Sequence, residues 1–242
     1  MTTDFGYSVR VKNGAGWRAY GRARLMISVG QPYHEGKKLE AAASWVNRNP
    51  DISEVHISVN DLLQRHNLIA AGKSVTAASA AALAEGSLWM ARNQDIVASI
   101  KAPVTVTRWH DWIGHPGFFA ASNALAAYAD QDLAFADALA TDAKALAARK
   151  TQRGEHVPDR LVLHSYDYVT EELSVFALQA RALPAAEVYP GSNLVSAQYL
   201  IGKTLPEPIA SLANRRFVRI DFARIDVAAN QALRPFAQPK PG

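Results

Sequence analysis

Apolar runs rich in β-branched residues alternate along this chain with longer stretches of helical period, and no other feature restricts the fold so strongly. ARLMIS (23–28) has the length and composition of a strand, and in KKLEAAASWVNRN (37–49) Leu39, Ala42, Trp45 and Val46 share one helical face. EVHISV (54–59) is a second strand, residues 73–100 are alanine-rich and helical in spite of Gly86, and PVTVTRW (103–109) is a third strand. Strand, helix, strand, helix, strand is the order that builds a parallel sheet with right-handed crossovers, so the expected class is α/β with helices flanking a parallel sheet.

The second half reads less regularly. HDWIGHPGF breaks the chain at Pro116 and Gly117, and a long helix is expected over 119–149, with Leu125, Tyr128, Asp132, Phe135, Leu139 and Leu146 along one stripe. LVLHSY (161–166) reads as a short strand and DYVTEELSVFALQAR (167–181) as a helix. EVYPG (187–191) is a strand ended by proline, and RRFVRIDF (215–222) alternates as a strand should. With no internal repeat and no break in composition, residues 1–242 are expected to form a single domain, with 1–21 a basic N-terminal extension and 235–242 a flexible tail.

Composition excludes several kinds of chemistry. The 242 residues are 49% apolar and 20% charged, enough for a full core, and no apolar run approaches the roughly 20 residues of a membrane span. No membrane association is expected, and the cytoplasm is the expected compartment. There is no cysteine, so disulfides, thiolate metal sites and thiol nucleophiles are ruled out, and any covalent chemistry must use another side chain, which narrows the search toward serine. His110 and His115 lack a third ligand at a metal-like spacing, and no metal is expected. The net charge of +4 is unevenly placed: residues 1–24 and 215–242 are basic, while 125–144 are acidic through Asp130, Asp132, Asp137 and Asp142. Basic segments of this kind suit a phosphate backbone or a solvated surface.

Ser28 stands where the first buried strand ends, followed by a loop containing Gly30, Pro32 and Gly36. Open α/β sheets bind ligands outside the carboxyl ends of their strands. The hydrolase elbow G-x-S-x-G is half missing, since Met26 stands where the first glycine belongs, and neither phosphate-binding glycine signature is present. His164 and an aspartate complete a triad only on paper. Tyr168 and Glu172, four apart on a helix, put a phenol beside a carboxylate, and Tyr189 with Pro190 ends the next short strand.

In this combination the sequence resembles the cyclodipeptide synthases. The resemblance rests on Ser28 and Gly30 after the first strand, Trp45 in the next helix, Tyr168 and Glu172 four apart, and Tyr189, and it runs loosely from about residue 22 to 222. Gln31 and Pro190 match the branch with proline after the pocket tyrosine. The resemblance implies a Rossmann-type sheet like the catalytic domain of class I aminoacyl-tRNA synthetases, without their ATP signature and with no cofactor. Aminoacyl-tRNAs would be the partners of a monomeric enzyme, and DNA would not be one. Ser28 would take the aminoacyl group from a first tRNA, a second aminoacyl-tRNA would react, and a dipeptidyl-serine would close to a 2,5-diketopiperazine. Glu172 would hold the ammonium, Tyr168 would shuttle protons and Tyr189 would position the acyl group. Some family members carry a strongly basic helix between the second and third strands. Here that helix is mostly alanine, so the tRNA grip falls to Arg18, Arg22, Lys37, Lys38, Lys73 and Arg92.

Two other functions remain open from the residues alone: a serine hydrolase or acyltransferase on a similar sheet, and a non-catalytic RNA-binding module. If the resemblance holds, strand alternation puts Arg24 and Met26 on the Ser28 face, and Glu187 on the Tyr189 face. Family likeness adds Val175 and Trp109 as pocket walls. A buried Glu187 needs a partner. Either Arg24 closes the pocket floor with it, or Glu187 binds a cation-capable substrate side chain, histidine first, with Trp109 stacked on the ring.

Overall fold

The computed structural model describes residues 5–12, 20–152 and 161–226. A six-stranded sheet in the order β1-β6-β5-β2-β3-β4 runs through the molecule. Its elements are β1 (Phe5–Val11), β2 (Arg22–Ser28), α1 (Gly36–Asn47), β3 (Glu54–Asn60), α2 (Arg65–Ala70), α3 (Val75–Ala98) and β4 (Val104–Arg108). They continue with α4 (Trp109–Ile113), α5 (Phe118–Gln131), α6 (Leu133–Gln152), α7 (Leu161–Ala182), β5 (Ala186–Tyr189), α8 (Val195–Leu200) and β6 (Arg216–Asp226).

β2 is buried along Ala23–Ser28 because it lies between β3 and β5, both parallel to it, with helices over both faces. On one face Leu25, Ile27, Ile57 and Val59 pack with Leu39, Trp45 and Trp89 of α1 and α3. On the other, Met26 packs with Phe135, Leu173, Val175 and Phe176 of α6 and α7. From β2 the chain builds outward through β3 and β4, then returns to the other side of β2 as β5 and β6. The reversal makes the carboxyl ends of β2 and β5 a topological switch point, where two crossovers leave in opposite directions and open a crevice.

Three expectations need correction. LVLHSY is the first turn and a half of α7, not a strand: Leu161, Ser165 and Val169 are buried while Leu163, which a strand would turn to the same face, is exposed. The helix expected over 119–149 is two helices broken at Asp132, whose carboxylate accepts hydrogen bonds from the Phe135 amide at 3.1 Å, Tyr128 Oη at 3.1 Å and Tyr199 Oη at 2.9 Å. An aspartate that accepts an amide proton three residues on starts a new helix. Within the stretch read as a basic extension, β1 pairs antiparallel with β6, from Phe5 opposite Asp226 to Val11 opposite Ile220. Arg18 and the tail 235–242 lie outside the described residues.

Candidate active site

Ser28 is the last residue of β2 and is 8% exposed, so it is a buried strand end and not an open loop. The turn after it is tight: the Gln31 amide donates to the Ser28 carbonyl at 3.2 Å and the His34 amide to the Gln31 carbonyl at 3.0 Å. Gly30 has φ +84°, a conformation that favours glycine, and a Cβ there would meet nothing within 4 Å. The glycine is required by the turn, not by crowding. His34 folds back under the strand, its Nδ1 accepting from the Ser28 amide at 2.8 Å, and burial holds the ring near a pKa of about 3 and therefore neutral.

Ser28 Oγ lies 3.2 Å from Tyr189 Oη, and Tyr189 Oη lies 3.2 Å from Tyr33 Oη. All three border a cavity of about 340 Å³ at the switch point, with Met26, Gln31, Gln64, Asn67, Tyr168, Glu172, Phe176, Arg215 and Phe217 among its other walls. Asn67 Nδ2 donates to Gln64 Oε1 at 2.8 Å, and Gln64 Nε2 donates to Tyr168 Oη at 3.3 Å. Tyr168 and Glu172 present themselves from successive turns of α7.

The electrostatics of these groups follow from their burial. Burial, reinforced by Glu172, raises the Tyr168 phenol well above its ordinary value. Burial also raises Tyr189, with Tyr33 and Glu172 adding to it and the Ser28 hydrogen bond opposing it. Both phenols are neutral at pH 7. Burial pushes Glu172 up to about 8, partly offset by Arg215 and Arg149. With the cavity empty, it is therefore mostly protonated at neutral pH, and a bound ammonium would reverse this.

The cavity gathers Ser28, Gln31, Met26, Tyr168, Glu172 and Tyr189 of the expected residues, and does not gather the rest. Gly30 and Pro190 flank it without lining it. Val175 is buried in the core and does not line the cavity. Trp109 is also buried, its Nε1 donating to Glu171 at 2.7 Å, so it cannot stack on a substrate ring. Arg24 and Glu187 lie beneath the cavity and not in its wall: Arg24 Nη1 donates to Glu187 at 3.3 Å, Arg215 donates to the same carboxylate through Nε at 2.9 Å and through Nη2, and Glu187 is 1% exposed. Glu187, buried and held by two arginines, does not line the cavity, so the expected contact between it and a substrate histidine is not formed there. Of the expected tRNA contacts, Arg22 pairs with Glu54 at 2.7 Å and Arg92 with Glu35 at 2.9 Å. Lys38 lies 5.2 Å over the Tyr7 ring, Lys37 is on the same turn of α1, and Lys73 is exposed before α3.

Tyr33, Gln64, Asn67, Arg149, Lys150 and Arg215 line the cavity and were not singled out from the sequence. Tyr33 had a usable signal, since it sits in the short loop after Ser28. Among the described residues no histidine lines the cavity, and His164 lies 3.8 Å from Asp167 on the first turns of α7. Ser28 thus has hydroxyl neighbours in place of the imidazole that a hydrolase triad requires.

No family model and no curated protein matches the sequence. Solved structures do. A cyclodipeptide synthase from Fluoribacter dumoffii superposes with a TM-score of 0.81 at 24% identity, over 92% of this chain and all of that one. The chain has the fold of the cyclodipeptide synthases. A Mycobacterium tuberculosis protein, whose structure relates cyclodipeptide synthetases to type I tRNA synthetases, matches with a TM-score of 0.68 at 15% identity, over 89% of this chain and 93% of that one. A cyclodipeptide synthase from Candidatus Glomeribacter gigasporarum, bound to Phe-tRNA, matches with a TM-score of 0.61 at 19% identity, over 82% and 86%. The cyclodipeptide synthase fold therefore spans nearly the whole described chain.

Proposed function

We propose that this chain is a tRNA-dependent cyclodipeptide synthase. The observation that carries the reading is the Ser28 hydroxyl 3.2 Å from Tyr189 Oη, in a cavity shared with Tyr168 and Glu172, on a fold shared with those enzymes. Ser28 Oγ attacks the ester carbonyl of an aminoacyl-tRNA, and the ribose oxygen leaves with the serine proton, relayed through the tyrosine hydroxyls. The product is aminoacyl-serine and free tRNA, which preserves the activated ester without ATP or a cofactor. Glu172 holds the ammonium of the acyl group. Once deprotonated, that amine attacks the ester of a second aminoacyl-tRNA to give dipeptidyl-serine and a second free tRNA. The new terminal amine then attacks the serine ester, closing the six-membered ring and restoring the Ser28 hydroxyl.

The reaction places the enzyme in the cytoplasm, where charged tRNA is found, and one chain supplies every cavity residue named above. Arg149 and Lys150 sit on the cavity wall, where they can meet the phosphates at the acceptor end of a tRNA. The test is to mix purified protein with aminoacyl-tRNAs and analyse it by mass spectrometry. An aminoacyl adduct on Ser28 and a diketopiperazine in solution are expected. An adduct on another residue, or release of free amino acid alone, rejects the reading.

A further inference from the structure

Three charged side chains lie buried in one layer beneath the cavity, and their charges do not cancel. Arg24, Glu187 and Arg215 are 0%, 1% and 4% exposed, giving two guanidinium groups and one carboxylate. Arg24 is fully used: Nε donates to His56 Nδ1 at 2.9 Å, Nη1 to Glu187 at 3.3 Å, and Nη2 to the carbonyls of Gln179 and Leu183. His56 adds no charge, since burial and Arg24 hold it neutral. Arg215 spends Nε and Nη2 on Glu187 and lies against the Phe176 ring, 4.2 Å from its centroid. Its Nη1 is buried and, among the described residues, has no hydrogen-bond partner. Glu172 on the same cavity wall acts on Arg215 through space, but a buried donor without a hydrogen-bond partner is costly unless a ligand answers it.

Arg215 also lines the cavity that contains Ser28, together with Met26, Phe176 and Phe217. We infer that the aminoacyl group carried on Ser28 has an acidic side chain, glutamate, whose carboxylate accepts from Arg215 Nη1. The inference rests on the function proposed above and names the amino acid that the first step takes. Met26, Phe176 and Phe217 supply apolar walls for the two methylenes, and the guanidinium supplies the specific end. Length favours glutamate over aspartate. Arg215 binds Glu187, the register partner of Arg24, and Ser28 stands four residues further along β2, so the guanidinium approaches from below and the longer acid reaches further toward it. A lysine or histidine side chain would meet a net positive floor.

The experiment supplies the wild-type protein with all twenty aminoacyl-tRNAs, one amino acid isotopically labelled at a time, and reads both the diketopiperazines and the intact protein mass. A product carrying label from glutamate is expected, with a glutamyl adduct on Ser28 when Glu-tRNA is given alone. Arg215→Met, which leaves Glu187 paired with Arg24, should lower the glutamate-containing share at least about tenfold in favour of apolar residues, as expected for loss of a charged hydrogen bond. Arg215→Lys should retain more of it than Arg215→Met. A wild-type product without an acidic residue, or glutamate in the product with no glutamyl adduct on Ser28, overturns this inference while leaving the synthase reading intact. No diketopiperazine and no adduct with any of the twenty overturns the synthase reading itself. The wild-type measurement decides the matter even where a variant fails to fold.

Discussion

The amide of Ser28 donates to Nδ1 of His34 at 2.8 Å, and the His34 carbonyl accepts from Trp89 Nε1 at 2.8 Å, so α3 holds Ser28 in place through one histidine residue. His34→Ala leaves the Ser28 amide buried and unpaired, a loss of about 1–3 kcal/mol. Denaturant unfolding should show that loss, and the rate of acyl-serine formation should fall while Ser28 remains the residue modified.

Ser28→Ala should abolish both adduct and product without unfolding the protein, because among the described residues it removes one hydroxyl contact, to Tyr189. Tyr168→Phe should slow turnover by about 10²- to 10⁴-fold, the range for a proton-transfer group. Wild-type yield from either variant would remove that residue from the mechanism.

Stability should have a descending limb above about pH 6.5. His34 and His56, each lowered to about 3, bind fewer protons folded than unfolded, so their contribution is complete above 6.5 and is lost as pH falls. Glu172, raised to about 8, keeps in the folded state a proton that the unfolded chain has released above its ordinary value. Stability therefore falls as pH rises toward 8, by at most about 1.4 kcal/mol per pH unit. Glu172→Gln should flatten the profile between 6.5 and 8 and abolish product; calorimetry across that window checks the sign.

Glu171, next in sequence to Glu172, should respond in the opposite way. Burial works against its charge, but hydrogen bonds from His66 and Arg65 outweigh burial and hold it below the usual carboxylate range, and Trp109 Nε1 adds a further hydrogen bond. Glu171→Ala strips partners from Arg65 and Trp109 and should cost about 3–5 kcal/mol. Glu172→Gln should cost far less in the same unfolding assay.

Gly86→Ala tests a close approach. A Cβ at that position would stand 2.6 Å from Asp61 Cβ and 2.7 Å from Arg108 Nη2, so α3 must move away from the Asp61 and Arg108 pair. Overpacking of this kind costs about 1–3 kcal/mol, read as a lowered unfolding midpoint.

Local pattern made the central sheet legible, because β2 and β3 are short, apolar and bounded by turn residues. It failed at LVLHSY, whose six residues look like a strand unless Val169 is counted on the same face. β1 was missed although Phe5, Tyr7, Val9 and Val11 alternate as strand residues do; its ladder partner β6 lies more than two hundred residues away, so local pattern says nothing of where it pairs. Ser28, Tyr168, Glu172 and Tyr189 could be chosen by chemistry and position, and the fold brings them to one cavity. Alternation allowed the Arg24 to Glu187 pair to be foreseen. Arg215 was not, because in sequence it is one more cation in a basic segment, and only the β5 to β6 pairing carries it to Glu187.

Helix α7 is 22 residues long and spans the depth of the cavity. Tyr168 and Glu172 stand at the level of the chemistry, Phe176 lies against Arg215, and the Gln179 and Leu183 carbonyls clasp Arg24 below. From Tyr168 to Gln179 the helix climbs about 16 Å at roughly 1.5 Å per residue. A slide or rotation of this one rod displaces Tyr168, Glu172 and the packing around Arg215 and Arg24 together. Substitutions on its buried back must therefore change rate and selectivity at once, whereas those on the strands, such as Met26 or Phe217, alter the choice of amino acid and leave Tyr168 and Glu172 where they stand. Mutational drift in such a molecule can exchange its substrate by way of the sheet far more readily than by way of the helix.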